Sequence, residues 1–159
     1  MKSIAKISLI ASLALALNSC TKEEQYPIEP SIAYLDFVLN SNGHATLKYT
    51  FTDGDGDIGI ESGETGSNYF LHYYYKDVNG NFVLYNYPPT YTVPMIIGYS
   101  IQPIYNNNPG KKKKSTKGEI WIDLIPPLFP AGETMKLACQ LFDQAGHSSA
   151  LVFSPQLQP

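Results

Sequence analysis

The segment Phe51-Thr52-Asp53-Gly54-Asp55-Gly56-Asp57-Ile58-Gly59 is the densest concentration of reactive groups in this 159-residue chain. Its three carboxylates, spaced two residues apart, repel one another, and water, loop amides or a cation must offset that repulsion. Gly54 and Gly56 let the backbone curl so that alternate Asp side chains converge. Converging carboxylates and backbone carbonyls are what Ca²⁺ takes, about six to eight oxygens at a time. Asp53, Asp55 and Asp57, with Glu61 and Glu64 further along, are therefore candidate metal ligands. The same residues also suit a solvated turn, because Asp and Gly are what turns use, and both readings stay open.

In the register of an EF-hand loop, Asp53, Asp55 and Asp57 take the first, third and fifth positions, and Glu61 and Glu64 the ninth and twelfth. Ile58 stands where that loop needs its turn glycine, and no flanking helix is evident. A looser Ca²⁺ loop is the form expected. Other chemistry is thin. His44, His72 and His147 are scattered, outside any zinc spacing. No nucleophile elbow, phosphate loop or Cys–His arrangement occurs, so the expectation is a protein that is not an enzyme. There is no Arg and the formal charge is −3, which argues against nucleic acid as a partner. Lys111 to Lys114 form a basic run in a Gly/Pro/Asn context and read as an exposed loop. Tyr is abundant, and Tyr73 and Tyr75 fall on one strand face, which makes them candidate contacts for a glycan.

The elements that must position these groups read as strands. His44 to Thr52 alternates Ala45, Leu47, Tyr49 and Phe51 inward against Thr46, Lys48 and Thr50. Ile120, Ile122 and Leu124 alternate against Trp121 and Asp123. Further strands are expected over 32–39, 68–76, 81–87, 95–104, 134–142 and 149–153. Asp77-Val78-Asn79-Gly80 is a hairpin turn, since Asn-Gly accepts positive φ. No segment sustains a 3.6-residue period. The fold expected is all-β, an antiparallel immunoglobulin-like β-sandwich of seven or eight strands, with a small closed barrel as the alternative. In that topology the 53–67 loop, the 143–148 turn and the start of the first strand share one end. Cys139, on the apolar side of Met135-x-Leu137-x-Cys139-x-Leu141, is expected to be a buried, inert thiol.

Ahead of this domain, Lys2 and Lys6 precede an apolar run over 7–17, too short to span a membrane and suited to a signal peptide. It closes on Leu17-Asn18-Ser19-Cys20, which resembles a bacterial lipobox. That resemblance implies a signal peptide over 1–19, cleavage before Cys20, a covalent diacylglycerol on the Cys20 thiol and an acylated amine. Several acyl chains anchor stably where one does not. Residues 20–31 then read as a flexible tether and 32–159 as the domain. Thr21-Lys22-Glu23-Glu24 resembles the surface-export signal of Bacteroidota lipoproteins. It implies an outer-membrane protein facing outward, with the periplasmic face as the alternative.

Leu141-Phe142-Asp143-Gln144-Ala145-Gly146-His147-Ser148 resembles the closing hairpin of bacterial immunoglobulin-like domains, with Asp143 tying the turn. Together with the acidic motif and Gly118-Glu119-Ile120-Trp121-Ile122, it resembles a group of small Bacteroidota lipoproteins, a likeness that covers most of 32–157 and carries no activity with it. The expected role is a lipid-anchored binding or scaffolding module for an unknown protein or glycan partner, stiffened by Ca²⁺. The alternative is a glycan-binding accessory lipoprotein of a polysaccharide-uptake system.

Overall fold

The computed structural model describes residues 24–40, 43–60, 63–86, 92–103, 115–125 and 133–158. The expected signal peptide over 1–19, Cys20, Glu61 and the Lys111–Lys114 run lie outside the described residues. Eight strands are present in chain order among those described: β1 (Ser31–Leu39), β2 (Ala45–Asp53), β3 (Tyr69–Lys76), β4 (Phe82–Leu84), β5 (Ile96–Tyr99), β6 (Thr116–Leu124), β7 (Met135–Leu141) and β8 (Val152–Phe153). No helix occurs among the described residues.

Every strand pairing is antiparallel. One sheet has the order β1-β2-β6. The other has β4-β3-β7-β8, with β5 also paired to β3. The protein is thus an all-β, two-sheet sandwich, as its alternating patterns led one to expect. β4 and β5 are shorter than the expected strands over 81–87 and 95–104. They share one edge of β3, β5 along Tyr69 to His72 and β4 along Tyr74 to Lys76, so neither runs the whole length.

The core lies between the sheets. β2 contributes Ala45, Leu47, Tyr49 and Phe51; β6 contributes Ile120, Ile122 and Leu124; β3 contributes Tyr69, Leu71 and Tyr73; β7 contributes Met135, Leu137, Cys139 and Leu141. Successive side chains on a strand face opposite ways, so one register choice buries each row together. Cys139 is a free, buried thiol whose pKa burial pushes up to about 12. That thiol is inert at neutral pH, as expected.

The turn over Asp77–Gly80 forms as expected. The Asp77 carboxylate accepts from the backbone N–H of Asn79 at 2.9 Å and of Asn81 at 2.8 Å. Gly80 takes a φ of 86°. At the opposite end of the sandwich, residues 24–30 lie against the domain. Tyr26 N–H donates to Ser115 Oγ at 3.1 Å, Glu24 pairs with Lys117 at 2.5 Å, and Pro30 is buried. The tether expected over 20–31 is therefore held from Glu24 onward.

Candidate metal centre and adjoining cleft

β2 and β7 belong to different sheets and both run to this end. Each keeps its alternation for one step beyond its apolar residues. After Phe51, the next inward position is Asp53; after Leu141, it is Asp143. Asp53 has no solvent exposure and Asp143 is buried. Two apolar rows from facing sheets thus end in carboxylates. Asp57 adds a third from the loop after β2, also buried.

Carboxylate oxygens of Asp53, Asp57 and Asp143 all lie within 4.8 Å of one another. The loop is folded back by Asp57 N–H, which donates to Asp53 Oδ2 at 2.9 Å. Ile58 bridges Asp143 in antiparallel fashion, and Gln144 N–H donates to the Asp57 carbonyl at 3.2 Å. Ile58 is itself a core residue. This explains the departure from an EF-hand at that position: the loop needs an apolar plug there.

The electrostatics follow from burial. Removal from water pushes the Asp53 pKa up to about 6; the Asp57 N–H opposes this, and Asp55, Asp57 and Asp143 add repulsion. Asp53 Oδ1 is buried with no hydrogen-bond partner among the described residues. A buried acceptor without a donor costs roughly 1–3 kcal/mol, more when charged. A cation at this point would satisfy the orphaned oxygen and offset the mutual repulsion. An all-oxygen set of carboxylates suits a hard ion such as Ca²⁺ or Mg²⁺ better than zinc.

Asp143 has a second task. Its Oδ1 accepts from His147 N–H at 2.7 Å, and its Oδ2 lies 2.8 Å from His147 Nδ1. The Asp143 hydrogen bond and charge raise the His147 pKa. The turn-tying role expected of Asp143 is present, together with its place among the carboxylates.

The predicted ligands divide accordingly. Asp53 and Asp57 converge. Asp55 is half-buried with its Oδ1 unpartnered, but it is not one of the three that cluster. Glu64 is exposed and stands apart from them, and Glu61 lies outside the described residues. Among the described residues it is Asp143, and not a carboxylate further along the same loop, that joins Asp53 and Asp57 in the cluster. The reason is strand register: a hairpin from the facing sheet arrives where a longer loop would have had to curl back.

The glycan platform expected at Tyr73 and Tyr75 does not form. Tyr73 is fully buried in the core. Tyr75 is half-buried, its ring edge-on to Tyr85 at 5.8 Å. β3 is central in its sheet, so its inward row is consumed by packing.

Beside the carboxylates lies an open cleft of about 700 Å³ lined by residues 59–60 and 64–68 on one side and by the 142–146 turn on the other. Its walls include Gly59, Ile60, Asp143 and Gln144, which are on the same two segments that carry Asp57 and Asp143. No family model, curated protein or solved structure matches the chain.

Proposed function

We propose that this chain is a lipid-anchored, non-enzymatic binding or scaffolding module whose loop end is stapled by a divalent cation, Ca²⁺ in the first instance. The observation that carries the cation is the Asp53–Asp57–Asp143 convergence with the buried, unpartnered Asp53 Oδ1. The burial of all three carboxylates suits holding an ion between two loops better than acid–base work on a substrate. Asp53, Asp57 and Asp143 would hold the ion, and its charge would fix the 53–60 loop to the β7–β8 hairpin.

The strand order supports an immunoglobulin-like reading within the sandwich class. That fold places its strands A, B and E in one sheet and C, F and G in the other. Here β1, β2 and β6 answer to the first set and β3, β7 and β8 to the second. The lipid anchor rests on the charge, apolar run and Cys20 of the leader. With residues 24–30 docked, the four-residue step from Cys20 to Glu24 can span at most roughly 13 Å, so the cation end would lie near the lipid surface.

Calorimetric titration of the full-length chain in detergent with CaCl₂ tests the cation. One ion per chain, lost in Asp143→Asn, is expected; absence of saturable heat in the wild type removes the cation from the account. Detergent phase partition of cells expressing wild type and Cys20→Ala tests the anchor. The wild type should enter the detergent phase and the variant the aqueous phase.

A further inference from the structure

β6 is the outer strand of its sheet, and among the described residues no strand pairs its other side. It runs beside β2 from Thr116 to Leu124 without a register shift. A long, straight edge offers a row of backbone donors and acceptors to another strand. The remaining edges are blunted. β1 carries an irregularity between Tyr34 and Asp36 and lies against β7 and β8. β4, β5 and β8 run for only three, four and two residues. Side chains along β6 are open as well. Trp121, on its solvent face, is 63% exposed, with Lys48 Nζ 4.6 Å from the ring centroid. Inward, Ile120 and Ile122 keep a little exposure, whereas Tyr49 and Leu47 opposite them on β2 have none.

The exposed outward row, Lys117, Glu119, Trp121 and Asp123, decides what can pair there. Two copies of β6 that meet edge to edge, antiparallel, are related by a two-fold axis perpendicular to the sheet. Opposed residues must share a face, so a residue of β6 sits on the axis. With Ile120 there, Lys117 opposes the partner's Asp123 and Glu119 opposes the partner's Trp121, each twice. Opposite charges so placed stabilise an antiparallel pair. Glu119 already accepts from the Trp121 indole N–H of its own chain at 2.7 Å, so the two side chains suit one another. A shift of the axis by one residue brings like charges together, which is destabilising. On Glu119 it sets that carboxylate against its own copy; on Trp121 it sets Glu119 against Asp123. The charges therefore favour the register centred on Ile120, which is also the one that pairs the full length of the strand.

We propose that two copies of this chain join along β6 in this register, forming one continuous sheet in the order β1-β2-β6-β6-β2-β1. On the inner side Ile120 meets the partner's Ile120, so the cores of the two sandwiches run into one another. The pairing is independent of the cation, since none of these residues belongs to the carboxylate cluster. It also suits the lipid anchor. Glu24, beside Lys117 in each copy, lies at the same height along the axis in both. Two anchors therefore enter one membrane when the joined sheet lies along the lipid surface.

The test is sedimentation equilibrium of the full-length chain in density-matched detergent, at rising loading concentration. The wild type should form a dimer. Lys117→Asp and Asp123→Lys, each alone, should weaken it about tenfold or more, because each sets like charges opposite one another twice. An equimolar mixture of the two variants should regain wild-type association, as should the double variant, since opposite charges again face each other. Lys117→Asp also loses the Glu24 pair, which mixing does not repair, so recovery in the mixture reports the contact between chains. Mild oxidation checks the register: Lys117→Cys chains mixed with Asp123→Cys chains should form an interchain disulfide, and Lys117→Cys chains alone should not. A wild type that stays monomeric throughout overturns the proposal. So does a dimer that neither single reversal weakens, failure of both the mixture and the double variant to recover, or absence of the mixed disulfide. None of these changes touches Asp53, Asp57 or Asp143, so the response to Ca²⁺ should be kept whichever way the association falls.

Discussion

Asp53 occupies a position where strand alternation calls for an apolar side chain, and its burial puts its carboxyl pKa near 6 against an ordinary 3.8. The sign of the resulting pH dependence is definite. Between about pH 4 and pH 6 the folded state holds a proton on Asp53 that the unfolded chain has released. Stability in chelator should therefore fall as pH rises through that window, by up to about 3 kcal/mol. The negative charges facing Asp53 are Asp55, Asp57 and Asp143, all of which raise its pKa, while the Asp57 N–H it accepts from lowers it. Denaturant titrations in chelator at pH 4, 5, 6 and 7 check this. Asp53→Asn should flatten the slope, because the amide still accepts from Asp57 N–H and carries no charge. Its inward register was legible in the sequence by carrying the Ala45–Phe51 alternation one residue further. Ending the strand at Thr52 hid it.

At the scale of elements, the loop after β2 is held by two backbone approaches that only glycine allows. A Cβ on Gly54 would sit 2.4 Å from the carbonyl oxygens of both Tyr26 and Pro27. Gly54→Ala must therefore push residues 24–30 off the domain. We expect a loss of roughly 1–3 kcal/mol and faster proteolytic cleavage within 24–30, read by mass spectrometry of limited digests. A Leu47→Ala change in the centre of β2 should cost about 2–5 kcal/mol through lost burial and a cavity, without altering that cleavage pattern. The strands themselves were legible because each inward row is apolar at period two. The docking of 24–30 was not, since Pro27, Pro30 and the surrounding charges resemble any solvated linker. Tyr26–Ser115 and Glu24–Lys117 are contacts between segments about ninety residues apart, and local pattern carries no such information.

The whole molecule is a sandwich whose two sheets are closed at one end by carboxylates rather than by apolar side chains. The fold class and the meeting of the acidic loop, the Asp143 turn and the chain's entry point followed from strand count and topology. The membership of the carboxylate cluster did not, because Asp143 lies in another sheet and its turn chemistry alone accounts for an Asp there. Nor did the burial of Tyr73, since a strand's two faces look alike in sequence until its neighbours are known. In the proposed function a divalent cation joins the facing sheets through Asp53, Asp57 and Asp143. The most direct measurement is a thermal melt of the full-length chain in detergent, first in chelator and then in millimolar CaCl₂, for wild type and Asp143→Asn. An ion at about 100 times its Kd adds ~2.7 kcal/mol, so the wild-type midpoint should rise by roughly 5–10 °C. The Asp143→Asn midpoint should stay within about a degree. Superimposed wild-type curves with and without Ca²⁺, or an equal rise in Asp143→Asn, would contradict the claim.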